Sequence, residues 1–184
     1  MKHFKNFKTS VYCTAQTLAS LDETTLARDY AYLEKYVGID KVYLETYRDG
    51  TWVAIDHMKM IQNFFKEHGV EIAGGITTVT PPLEKDDVKR QRLFQTFCYS
   101  NEAMRTYLKK IVTYTAELFD EIILDDFFFT SCTCDDCLRE RSNLSWAEFR
   151  SKKMIDVAEN LVLKPAKLAN PSVKVTIKYP NWRE

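Results

Sequence analysis

Glu121-Ile122-Ile123-Leu124-Asp125-Asp126 decides the reading of this chain, together with the loop that follows it, Cys132-Thr133-Cys134-Asp135-Asp136-Cys137. Three apolar residues ending on acids read as a short strand buried on both faces, the kind found in parallel sheets. In parallel barrels the chemistry collects at the C-terminal strand ends. Two carboxylates and three thiols therefore fall where a site is expected.

Working outward, strands and helices alternate. Ser10 to Thr14 reads as a strand, and Asp22 to Tyr36 as a helix capped by Asp22, with Leu26, Tyr30 and Leu33 on one face. Lys41 to Thr46 is a second strand, followed by an Asp49-Gly50 turn. Ile55 to His68 is a helix stopped by Gly69, and Val70 to Ile76 is a third strand. Thr77 to Asn101 forms a long polar connection with Pro81-Pro82 and a charge run from Glu84 to Arg92. Helices over Glu102 to Phe119 and Trp146 to Ala169 flank the fourth strand, and the second of them carries a Ser145/Glu148 capping box. Ser172 to Tyr179 is a fifth strand.

This alternation implies an α/β fold with a parallel sheet, either open and doubly wound or part of a (β/α)8 TIM-type barrel. Thr14-Ala15-Gln16-Thr17 after the first strand is no glycine-rich phosphate loop, which disfavours dinucleotide binding. A whole barrel takes about 250 residues, and this chain has 184. The expectation is a single domain over residues 1–184 holding about five strands of an incomplete or truncated barrel. Its open edge would be covered by association, for instance as a homo-oligomer.

Bulk properties narrow the function. Lys+Arg and Asp+Glu both number 26, so no basic field points to nucleic acid. No stretch is long enough for a membrane span. Met1 to Lys8 is basic but lacks the apolar run of a secretion signal, which leaves the compartment open between cytoplasm and export with the signal removed. Aromatics make up 13% of the chain, which suits a core and also a sugar-binding cleft.

Cys132, Cys134 and Cys137 offer three thiolates within six residues, and zinc takes four ligands in a tetrahedron. Cys98 is the expected fourth, because its loop and the cysteine loop would be neighbours on the C-terminal side of a parallel sheet. Four protein ligands make such a zinc structural. Disulfide or redox chemistry is the competing reading, although pairing Cys132 with Cys134 would be strained. Cys13, in the first strand, reads as a buried thiol.

Phe97-Cys98-Tyr99-Ser100-Asn101, the helix after it, and Cys132 to Cys137 resemble the family-42 glycoside hydrolases and related barrel proteins classed as glycosyl hydrolases. The resemblance covers about residues 96 to 150 and implies a structural zinc on the four cysteines. It also implies a hydrolase acting on carbohydrate. The chain departs from the family at the chemistry: Asp125-Asp126 stands where family 42 carries Asn-Glu, and the family's nucleophile lies on a seventh strand.

Glycoside hydrolysis needs two carboxyl groups about the scissile bond. Asp126 is the expected acid/base, and Asp125 is expected to orient sugar hydroxyls, because alternation along a strand aims successive residues at opposite faces. Glu45, Tyr47, Lys178, Tyr179 and Trp182 are the expected saccharide-binding residues at neighbouring strand ends. Phe127-Phe128-Phe129 reads as an apolar wall beside the acids or as plain packing. A carbohydrate-binding or assembly module without turnover, and a thiol protein, are the alternatives to an enzyme.

Overall fold

A computed structural model describes residues 4–79 and 92–178. Tyr179, Trp182, Pro81-Pro82 and most of the charge run from Glu84 lie outside the described residues.

The elements follow the expected order with additions. Strand β1 is Ser10–Cys13, helix α1 Ala15–Ser20 and helix α2 Glu23–Tyr36. Strand β2, Lys41–Arg48, turns through Asp49-Gly50 into a two-residue strand β3, Thr51–Trp52, which pairs back on it antiparallel. Helix α3 is Ile55–Glu67, β4 Glu71–Ile76, α4 Glu102–Leu118 and β5 Glu121–Leu124. Helix α5, Asp135–Arg141, opens within the cysteine loop.

The long helix expected from Trp146 to Ala169 is wound in three parts. Helix α6, Trp146–Asp156, runs through a π-helical stretch, Val157–Leu163, into α7, Lys164–Ala169. Pro165 supplies the reason: it has no N–H for the carbonyl four residues back, and its ring clashes there in an α-helix. The wider π turn moves the pairing to i→i−5, as in Lys164 N to Glu159 O. Strand β6, Lys174–Ile177, completes the described elements.

The order in the sheet is β1-β2-β4-β5-β6, parallel throughout, with β3 hanging on β2. Each new strand adds beside the previous one without reversal. Right-handed crossovers that always step the same way put the helices on one face, which is the winding of a barrel wall. A doubly wound sheet would have to reverse, so that alternative falls.

Leu44, Gly74 and Ile122 form one row across the sheet, and Ile76 and Leu124 form the next. The apolar members of both rows are fully buried on the helical face. Gly74 lets α4 approach: a Cβ there would stand 2.6 Å from Thr115 Cγ2 and 2.7 Å from Phe119 Cδ2. Gly75 clears the opposite face, where an added Cβ would stand 2.6 Å from Tyr12 Oη. On that inner face Tyr12 stacks on Tyr43 at 6.3 Å, and Lys41 pairs with Glu121 at 2.5 Å. Among the described residues no helix is long and apolar enough to cross a membrane.

Candidate active-site rim and metal centre

The C-terminal rim is a single row of residues set by register. Ile76 pairs with Leu124, and Leu124 with Ile177. The next residue on each strand is therefore at the same level: Thr77, Asp125 and Lys178. Strand β2 joins this row through a bulge. Glu45 aligns with Gly75, but Tyr47 rather than Thr46 aligns with Ile76, which brings Arg48 level with Thr77.

The bulge explains where Tyr47 goes. Plain alternation would send it to the mouth beside Glu45. The extra residue instead turns it onto the helical side, where it is fully buried among Trp52, Phe97 and Tyr107 at ring separations of 5.2–6.4 Å. Thr46 faces the same way and bonds Thr115 Oγ1 at 2.6 Å. The structure thus does not bring Tyr47 to the rim, and Arg48 takes the place expected for it.

Glu45 reaches the rim from below and is fully buried. Its Oε1 accepts from Tyr12 Oη at 2.9 Å and from Thr77 Oγ1, and its Oε2 accepts from Ala15 N at 2.7 Å. Arg48 Nε donates to both oxygens, at 2.8 and 3.1 Å. Burial, with the charge of Glu45 adding to it, pushes the Tyr12 phenol well above its usual range, so it stays protonated as a donor. Burial works against the Arg48 cation, but its bond to Glu45 and the charges of Glu45 and Asp125 together outweigh this and raise its pKa. With these donors engaged, Glu45 is an anchor within the rim.

Arg48 carries that anchor outward. Its Nη2 donates to Thr77 Oγ1 at 2.9 Å and lies 3.6 Å from Asp125 Oδ2. Lys178 Nζ sits 3.4 Å from Asp125 Oδ1 and 2.9 Å from Asp126 Oδ1. The expectation that alternation aims the two aspartates apart fails, because β5 ends at Leu124 and the backbone turns there: Phe128 N bonds Asp125 O at 3.3 Å. Both carboxylates share one ammonium. Asp126 has 39% side-chain exposure against 16% for Asp125, which makes it the more accessible acid.

Of the three phenylalanines, Phe128 is fully buried against Tyr99. Phe127 and Phe129 are half-buried, with Phe127 beneath the Arg48 guanidinium at 5.9 Å.

Beside the rim, the described end of the long connection returns to the sheet. Val79 bridges Thr96, and Phe97 N bonds Thr78 O at 3.1 Å. This carries Cys98 to the cysteine loop. The four sulfurs of Cys98, Cys132, Cys134 and Cys137 lie within 4.8 Å of one another, and Cys98 Sγ stands 3.7 Å from both Cys134 and Cys137. A disulfide needs about 2.0 Å, and all four thiols are free. A tetrahedral tetrathiolate with metal–sulfur bonds of about 2.3 Å has edges of about 3.8 Å. The cluster therefore has the donor set and the size to hold one metal ion.

Its surroundings add polar support. Arg92 Nη1 lies 3.9 Å from Cys132 Sγ, and Ser100 Oγ lies 3.3 Å from Cys137 Sγ. Hydrogen bonds from Cys137 and Cys98 pull the Cys132 thiol down, while bonds to Cys132 push the Cys137 thiol up to about 12. Cys13 stands apart on β1, half-buried, with its thiol pushed up to about 11 by burial.

The whole chain, residues 1–184, matches the family described as "Probable glycosyl hydrolase, catalytic domain". The chain belongs to that glycosyl hydrolase family. An uncharacterised protein of Saccharolobus solfataricus is 33% identical over 204 aligned positions, which cover 98% of this chain and 33% of that relative. This glycosyl hydrolase domain therefore spans about a third of the length of the curated relative it matches.

Sequence reasoning had named Asp125, Asp126, Glu45, Lys178 and the four cysteines, and each lies at the rim or the cluster. It passed over Tyr12 and Thr77. Thr77 was findable, because it follows its strand as Asp125 follows β5. Arg48 follows Tyr47 after Glu45 and is legible near the mouth, but that it rather than Tyr47 reaches the rim depends on a bulge that carries no mark in the sequence.

Proposed function

We propose that the protein is a glycosidase-like domain acting on a poly- or oligosaccharide, with Asp126 as acid/base and Asp125 as the group that orients sugar hydroxyls. The observation that carries this reading is the pair of strand-end aspartates on one exposed ammonium, in a chain of glycosyl hydrolase family. Asp126 is accessible enough to meet a glycosidic oxygen. Asp125, tied to Arg48 and Lys178, is fixed enough to hold a hydroxyl in place. Lys178 supplies a donor to the same sugar. Tyr179 and Trp182, next along the chain, extend this binding group in the proposal.

In the same reading the four cysteines hold zinc. Tetrathiolate donors with a tetrahedral edge suit that ion, and with all positions filled by protein it is structural. It would keep the loop after β5 closed against the loop after β4, and so steady the rim. Strands β1 and β6 lie at the ends of the strand order. A second copy or further strands of a longer chain would pair there.

The test is turnover of an aryl-glycoside panel by the full-length protein and its Asp126→Asn variant. Loss of about 100-fold or more in the variant is expected of a general acid/base, and unchanged turnover removes the assignment. A second reading, saccharide binding without turnover, is favoured by the engagement of Glu45 with its donors, which takes that carboxylate out of the chemistry. Binding of oligosaccharides by a protein idle on every glycoside would establish it.

A further inference from the structure

The turn Leu93–Gln95 presents an aromatic ring to solvent on a backbone that phenylalanine rarely adopts. Phe94 has φ +52° and Gln95 has φ +55°, both left-handed, and Phe94 is 60% exposed. Such conformations persist only where the surroundings over-determine them, and they gather at ligand-binding sites. Here the surroundings are the cysteine loop. Leu93 N donates to Ser131 Oγ at 2.9 Å, Arg92 Nη1 reaches Cys132 Sγ, and Arg92 Nε holds Thr96 O at 2.5 Å.

The ring so displayed meets Phe127 edge-on at 5.3 Å and Phe129 at 6.4 Å. Phe127 directly follows Asp126 and lies under Arg48. An exposed aromatic surface thus borders two carboxylates and an ammonium. A sugar ring uses both kinds of surface at once: its C–H face packs on an aromatic ring, and its hydroxyls bond to carboxylates. Leu93 beside it is also exposed, at 56%, so a protein surface is the competing occupant. The charged groups beside Phe127, Arg48 over its ring and Asp126 next to it in the chain, favour the sugar.

We propose that Phe94, backed by Phe127, is a sugar-stacking platform flanking the Asp125–Asp126 rim, and that the cysteine loop fixes its position. The proposal rests on the glycosidase-like reading and adds a subsite to it.

The experiment measures KM and kcat of the full-length protein on gluco-, galacto-, manno- and xylo-tetraoses, for wild type and the Phe94→Ala, Phe94→Leu and Phe94→Tyr variants. Phe94→Ala and Phe94→Leu are expected to raise KM about tenfold, the loss falling in KM rather than kcat, while Phe94→Tyr stays near wild type. Wild-type turnover with KM unmoved in the Ala and Leu variants overturns the platform and leaves the glycosidase reading standing. A wild type that neither binds nor cleaves any tetraose overturns both. Equal losses of activity and thermal stability in all three variants, Tyr included, assign Phe94 to the fold and also overturn the platform.

Discussion

Arg48 Nη2 lies 3.6 Å from Asp125 Oδ2, and that contact ties the end of β2 to the end of β5 across β4. The guanidinium is held from behind by Glu45 and from the side by Thr77. Asp125 thus takes its orientation from a carboxylate buried in another strand.

Replacing Arg48 exposes this dependence. Arg48→Met strands the fully buried Glu45 without its cation, which costs about 3 kcal/mol. Thermal denaturation should register a Tm about 9 °C lower. The double variant Glu45→Gln/Arg48→Met should recover part of the loss, since neither charge is then unpaired. A single variant as stable as wild type would mean the pair contributes nothing.

Metal analysis addresses the cysteine cluster. Purified protein is expected to carry one zinc per chain by elemental analysis, and Cys98→Ser is expected to lower both the metal content and the Tm, the latter by about 10 °C. Metal-free protein in which the four cluster thiols titrate alongside Cys13, with unchanged Tm, would return the cluster to thiol chemistry.

Gly75 permits the Tyr12 bond to Glu45. Gly75→Ala places a Cβ 2.6 Å from Tyr12 Oη, so the phenol must leave its carboxylate. Overpacking of this kind costs about 2 kcal/mol. In the Tyr12→Phe background the same change should cost less, because the closest atom is gone. Additive losses measured by urea denaturation would separate the two residues.

Acid sensitivity should trace to Glu140. Burial pushes its carboxyl up, but bonds from Lys153 and Ser100, with the charges of Lys153 and Arg105, together outweigh this and hold it below the usual carboxylate range. A carboxyl depressed in the fold stabilises fully above its unfolded value of about 4. That stabilisation is lost as pH falls through the lower folded value. Glu140→Gln should therefore lower Tm at neutral pH and flatten the acid limb of the Tm–pH curve. Parallel curves for variant and wild type would exclude Glu140 as a source of it.

Much of this architecture was legible because its signals are local. Ile122 to Leu124 announce a strand, although only Ile122 and Leu124, on the helical face, are fully buried while Ile123 on the inner face is half-buried. Asp22 and Ser145 cap helices that begin where expected, and Gly69 follows the end of α3. Short elements escaped: α1, β3 and α5 have too few residues to display a period. The π turn before Pro165 is a tertiary compromise, in which a proline is kept inside a packed helix.

The sequence by itself determined the parallel alternation, the two acids at a strand end and the thiol spacing, since each is written in consecutive residues. Only the tertiary structure decided that the sheet winds one way, that a bulge after Glu45 exchanges Tyr47 for Arg48 at the rim, and that Asp125 and Asp126 meet on Lys178. Those outcomes depend on strands distant in the chain lying side by side. Register, which sets them, belongs to pairs of strands and not to either one alone.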